Sequence, residues 1–149
     1  SVSGPDKSRK KGWSPKTREQ VKNVAVCMLD RAYIPYSRFR VGAARECAYG
    51  TVFTGCNGEN ASYPAGICAE RNAISHAVAE GHRDFVRIVI AGRGENFCVP
   101  CGICRQVMRE FCAPDDFKIY LAKSPEDYRE FTLEQILPMG FGPENLEVK

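Results

Sequence analysis

The stretch Cys98-Val99-Pro100-Cys101-Gly102-Ile103-Cys104 holds two overlapping CxxC pairs, and Cys68-Ala69-Glu70 lies some thirty residues upstream. Both stretches stand where helices are expected to begin. Pro100 directly precedes Cys101, and Ala69, Ala73, Ile74, Ala77 and Val78 follow Cys68 at helical spacing. If these cysteines share a ligand, the fold must bring two helix N-termini to one point. A CxxC pair among eight cysteines arises easily by chance, so the weight rests on the combination rather than on either pair.

Eight cysteines stand against only two histidines, His76 and His82, in 149 residues. A small secreted chain with that count would suggest a disulfide framework. Here the N-terminus lacks the apolar block of a secretory signal, and no stretch approaches the ~18 apolar residues of a membrane span. The expectation is a soluble, cytoplasmic protein whose thiols serve metal binding or catalysis. The length fits one domain over 14–149, preceded by a disordered basic tail, 1–13, containing Lys7, Arg9, Lys10 and Lys11. Without the tail, the net charge of +3 leaves a nearly neutral body, so neither nucleic acid nor membrane is an expected partner.

Ser14-Pro15 reads as an N-cap with proline at the first helical position. Val21, Val24, Ala25, Met28, Leu29 and Ala32 then mark one helix face that stops before Pro35. Residues Val41 to Cys56 read as a β-hairpin turning at Tyr49-Gly50, and Cys56 to Gly66 as a loop. A second helix spans about Cys68 to Glu80 with Gly81 as its C′ residue. A strand covers Val86 to Ala91. The third helix follows Pro100, with Ile103, Val107, Met108 and Phe111 inward, and ends before Pro114. Strands are expected at Lys118–Ala122 and Tyr128–Phe131, then a short helix capped by Thr132 with Gln135 and ending at Pro138. That order implies an α/β sandwich with a mixed sheet, the hairpin antiparallel and the crossover-linked strands parallel.

At i and i+3 of a first helical turn, Cys101 and Cys104 project from one face and can hold one zinc, with Cys68 as third ligand. Partial positive charge at a helix N-terminus favours the thiolate form of Cys68 and Cys101. Three thiolates leave the fourth tetrahedral position open to water, whose pKa zinc lowers from about 15.7 to about 7. Three sulfur anions weaken that effect, and Arg71, on the same helical face as Cys68, can restore positive charge. Glu70 sits ~200° around the helix from Cys68, so both reach one metal only if it lies over the helix tip. There a carboxylate can shuttle protons. Two other readings stay open: Cys98 as a fourth ligand closing a structural site, and a redox pair at Cys101 and Cys104. Cys27, Cys47, Cys56, Cys98 and Cys112 read most simply as core or half-buried residues.

C-x-E with P-C-x-x-C is the arrangement of zinc nucleobase and nucleoside deaminases in a three-cysteine version. The chain resembles cytidine deaminase of the small homotetrameric class from about Val21 to Leu146. The motifs carrying this are Pro35-Tyr36-Ser37-Arg38-Phe39, Val41-Gly42-Ala43-Ala44, Gly55-Cys56-Asn57-Gly58-Glu59-Asn60-Ala61, Cys68-Ala69-Glu70-Arg71, Pro100-Cys101-Gly102-Ile103-Cys104-Arg105-Gln106 and Phe141-Gly142-Pro143. The resemblance implies a three-layer α/β/α fold, one zinc per chain and hydrolysis of cytidine and deoxycytidine to uridine and deoxyuridine in pyrimidine salvage. It implies that Phe39 packs on the pyrimidine, Asn57 and Glu59 bind the ribose hydroxyls, and the backbone at Ala69 contacts the base. It further implies that Ala61, Tyr63 and Phe141 enter a neighbouring subunit's pocket, so that active sites are shared. Arg40, Gly58 and Arg45-Glu46-Cys47 depart from the family pattern, which points to altered affinity rather than lost chemistry. The alternatives are a deaminase of modified nucleosides such as blasticidin S and a zinc-stabilised nucleic-acid-binding module.

Overall fold

The computed structural model describes residues 15–47, 51–93, 96–124 and 126–146. The basic tail, the Ser14 cap and the Tyr49-Gly50 turn lie outside the described residues.

Five strands form one sheet in the order β2-β1-β3-β4-β5: β1 (Val41–Cys47), β2 (Val52–Cys56), β3 (Phe85–Gly92), β4 (Lys118–Ala122) and β5 (Tyr128–Thr132). β1 pairs antiparallel with both β2 and β3, β3 pairs parallel with β4, and β5 returns antiparallel. Hence β2, β3 and β4 run in one direction and end at the same sheet edge. Side chains alternate between two buried faces. Ile88, Ile90, Ile119 and Leu121 face a layer made by α2 (Ala69–Ala79), α3 (Gly102–Phe111) and α4 (Leu133–Ile136). Val89, Ala91, Tyr120 and Ala122 pack instead with Val21, Ala25 and Leu29, on α1 (Pro15–Cys27) and the 3-10 turn that extends it. Burial on both faces explains why these strands read as continuous apolar runs. The three-layer α/β/α architecture is the expected one, and the Thr132–Gln135 capping box is present.

Helix α1 gives way to the 3-10 turn Met28–Arg31, and the chain becomes extended at Ala32, before Pro35. Val24 does not join the buried face; it is 37% exposed. Val21, Ala25 and Leu29, spaced four apart, form a narrower stripe on the sheet. Beside it the long stem of Lys22 is buried, with the ammonium 3.3 Å from the Tyr128 ring centroid. Ile103 also points outward, 61% exposed, because Cys104 and Met108, one turn apart, take the inward face of α3. Cys27 is exposed rather than packed.

Arg45 occupies the core between β1 and the α3 side of the sheet. Its guanidinium carbon lies 3.2 Å from the Phe85 ring centroid, and Nη2 donates to the Cys112 sulfur at 3.1 Å. Among the described residues Nε and Nη1 have no hydrogen-bond partner, and burial pulls the guanidinium pKa down to about 10. A charge so poorly compensated costs more in desolvation than one sulfur and a ring return. Arg45→Met, similar in length and uncharged, is therefore expected to raise stability by about 1–2 kcal/mol in urea unfolding.

Helix α1 meets β1 at backbone distance. A Cβ added at Gly42 would lie 2.2 Å from the Ala25 carbonyl oxygen. Gly42→Ala must push the helix off the sheet and is expected to cost about 3 kcal/mol by the same measurement.

Candidate active site

The chain leaves β2 and β3 at the same sheet edge and enters α2 and α3 there. Cys68 and Cys101 are the two N-cap residues, both with extended backbone and neither making a side-chain cap bond. A serine or aspartate at such a position would ordinarily turn back onto the helix's free N–H groups. Here the sulfurs turn toward each other instead. Sγ of Cys68 lies 3.8 Å from that of Cys101, which lies 3.5 Å from that of Cys104, and all three fall within 4.8 Å of one another. Zinc–sulfur bonds of about 2.3 Å in a tetrahedron set sulfurs about 3.8 Å apart, so the triad fits zinc.

Among the described residues only Cys68, Cys101 and Cys104 cluster in this way. Cys98 is held apart against Gly92, where an added Cβ would stand 2.6 Å from the Cys98 Cβ, and burial pushes its thiol up to about 11. The closed four-cysteine arrangement is not what the geometry shows. A simple redox pair does not describe it either, because Cys68 is shared.

Three sulfurs this close compete for ionisation. The hydrogen bond from Cys104 and the guanidinium of Arg71, 3.7 Å from the sulfur, bring Cys68 down to about 5, while that bond and burial push Cys104 up. A dication among them would let all three ionise. Glu70, only 4% exposed, hydrogen-bonds with Cys104, and burial raises its carboxyl above the usual range. Cys68 and Glu70 therefore meet over the helix tip, as their spacing requires.

Beside the cluster opens a cleft of about 480 Å³ lined by Tyr36, Ser37, Asn57, Glu59, Tyr63 and Cys68, among others. Oε1 of Glu59 accepts from the backbone N–H of Tyr36 (3.0 Å) and Ser37 (3.1 Å). Bonding with Ser37 and Tyr36 holds its carboxyl below the usual range. Asn57 uses its side chain to tie down the start of β1, accepting from Val41 N at 2.9 Å and donating to the Phe39 carbonyl at 2.8 Å. Gly58 bridges to Tyr33 and Ile67, so its missing side chain is offset by backbone pairing. Arg40 donates to the carbonyls of Leu29 and Ala32, closing the end of the 3-10 turn. Ala69 is buried at the helix start. Phe39 stands outside the cleft lining, its ring tip near Gly92. Ala61 is exposed, Tyr63 is 80% exposed and Phe141 56% exposed.

The sequence profile of the cytidine and deoxycytidylate deaminase zinc-binding region matches residues 15–120. The chain belongs to that family. Cytidine deaminase of Halalkalibacterium halodurans is 43% identical over 87% of this chain and 97% of its own length. That of Sporosarcina psychrophila is 42% identical over 78% of this chain and 85% of its own. The crystal structure of cytidine deaminase from Burkholderia pseudomallei superposes with a TM-score of 0.77 at 40% identity, covering 82% of this chain and 97% of that one. Cys68, Glu70, Cys101 and Cys104 all fall inside the profile match of the deaminase family.

Nothing in the residue types of Tyr36 and Ser37 signals the role of their backbone N–H groups, although both stand in a family motif. The same holds for Asn72, whose side chain donates to the Cys56 carbonyl at 2.7 Å; a lone asparagine inside a helix carries almost no signal. Metal analysis of purified variants checks the ligand set: Cys98→Ala is expected to keep one zinc per chain, and Cys101→Ala to lose it.

Proposed function

We propose that the chain hydrolyses cytidine and deoxycytidine to uridine and deoxyuridine, with water consumed and ammonia released. The observation that carries this reading is a buried Glu70, its carboxyl raised, in contact with a zinc-compatible thiol triad at the end of a nucleoside-sized cleft. Cys68, Cys101 and Cys104 would hold the metal. Zinc supplies Lewis acidity that makes water nucleophilic toward C4 at neutral pH.

Glu70 moves two protons: one from water to the ring nitrogen N3, where it remains in the uridine product, and one from the hydroxyl then on C4 to the amino group, which leaves as ammonia as the C4 carbonyl forms. Burial suits it to both directions, since a carboxyl raised above its usual range holds a proton more readily than a surface one and can still return it. Arg71 offsets the thiolate charge. Glu59, with Oε1 already held by Tyr36 and Ser37, keeps Oε2 for a ribose hydroxyl. Asn57 retains one donor and one acceptor site for the same purpose. The Ala69 backbone contacts the base, and Phe39, which stands beside Gly92 outside the cleft, turns onto the pyrimidine when substrate binds.

The exposed Ala61, Tyr63 and Phe141 serve a neighbouring subunit's pocket in a homotetramer. Eight free thiols suit a reducing, cytoplasmic setting. Among the described residues, no helix is long and apolar enough to cross a membrane.

Following the ultraviolet conversion of cytidine to uridine tests the reading. Glu70→Gln is expected to retain zinc and lose several powers of ten in kcat, each worth ~1.4 kcal/mol of barrier. A wild type inert toward cytidine and deoxycytidine would sink it.

A further inference from the structure

Asn72 touches both halves of the site. Its backbone N–H donates to the carbonyl of Cys68 at 3.1 Å, and its side-chain Nδ2 donates to the carbonyl of Cys56 at 2.7 Å. Cys68 belongs to the sulfur triad. Cys56 ends β2 and leads directly into Asn57, Gly58 and Glu59. Helix and strand are pressed together here: a Cβ at Gly55 would lie 2.4 Å from the Ala69 carbonyl oxygen and 3.0 Å from the Asn72 Cβ. The other α2 side chain bonded to β2, His76, reaches the Thr54 carbonyl at 3.4 Å, one turn farther from the site.

We propose that Asn72 is a positioning residue that sets the register of α2, with Cys68 and Glu70, against the 57–59 segment that holds the ribose. The inference rests on the deaminase reading above. Contacts to a remote part of a substrate speed its reaction only if they are rigidly connected to the reacting centre. Backbone bonds between Gly58 and Ile67 join the 57–59 loop to the segment entering α2, and the Asn72 amide adds a side-chain hydrogen bond from the body of α2 to the end of β2 at Cys56, the residue directly before that loop. Without the Asn72 bond, ribose contacts still bind substrate but no longer place C4 and N3 correctly against Glu70.

The test compares cytidine with 2′,3′-dideoxycytidine, which lacks the 2′- and 3′-hydroxyls, using zinc-loaded wild type and Asn72→Ala. Wild type is expected to turn over cytidine faster. Asn72→Ala should lose about tenfold to a hundredfold in kcat on cytidine. On the dideoxy substrate it should change little, with zinc content unaltered. Equal losses on both substrates would show a merely structural role and overturn the proposal. A wild type with equal kcat on both would overturn it together with the ribose assignment, whereas inactivity on both would remove the deaminase reading itself. Should Asn72→Ala fail to fold, Asn72→Asp carries the same comparison, being equal in size but, when ionised, without a donor toward the Cys56 carbonyl.

Discussion

A methyl group has no room between α2 and β2. At Gly55 it would stand 2.4 Å from the Ala69 carbonyl oxygen and 2.5 Å from the Ala73 nitrogen, so helix and strand meet backbone to backbone. This contact fixes where the N-terminus of α2 ends up relative to the end of β2, and the remaining site geometry follows. Cys68 caps the helix beside the cleft, Glu70 is driven into the protein, and the chain leaving β2 becomes the cleft wall. The parallel pairing of β3 with β4 places α3 at the same edge, so that Cys101 and Cys104 approach Cys68 to zinc-binding distance.

Electrostatics then makes the assembled cluster workable. Two helix N-termini and the Arg71 guanidinium face sulfurs that would otherwise resist ionising together. The same crowding keeps Glu70 protonated more readily than a surface carboxylate. By contrast Glu59 is held below the usual carboxylate range by the Ser37 side chain and by the backbone N–H groups of Ser37 and Tyr36. Two carboxylates within one site are thus pushed in opposite directions by their surroundings, one toward proton transfer and the other toward accepting hydrogen bonds.

Much of the framework was legible in the chain. Apolar runs at 86–91 and 118–122 announce strands buried on both faces, Gly81 ends a helix with φ +86°, and the capping box at Thr132 forms as its residue types suggest. Periodicity was weaker at deciding which residues face inward. Val24 and Ile103 fit an apolar stripe on paper, yet the sheet accepts only the narrower rows through Ala25 and through Cys104 with Met108. Arg45 could not be foreseen as a core residue at all, because its burial depends on Phe85 on β3 and on Cys112 and Phe117 between α3 and β4, two segments distant in sequence. The family motifs imply which residues belong to the site but not how they are held. Asn57, implied as a ribose contact, also braces Phe39 and Val41.

Residue type and spacing alone determined the kind of donor: thiols at helix starts, a glutamate two positions from one of them, and no histidine able to replace them. These are local properties, dictated by side-chain chemistry and by the geometry of a helical turn. Which of the neighbouring cysteines joins the cluster was decided only in three dimensions. Cys98 lies three residues from Cys101, as Cys104 does, but it precedes the helix and packs against Gly92, whereas Cys104 is carried by the first turn toward Cys68. Ligand choice depends on sub-ångström placement of elements far apart in sequence, and that placement comes from helix-on-sheet packing rather than from any local pattern.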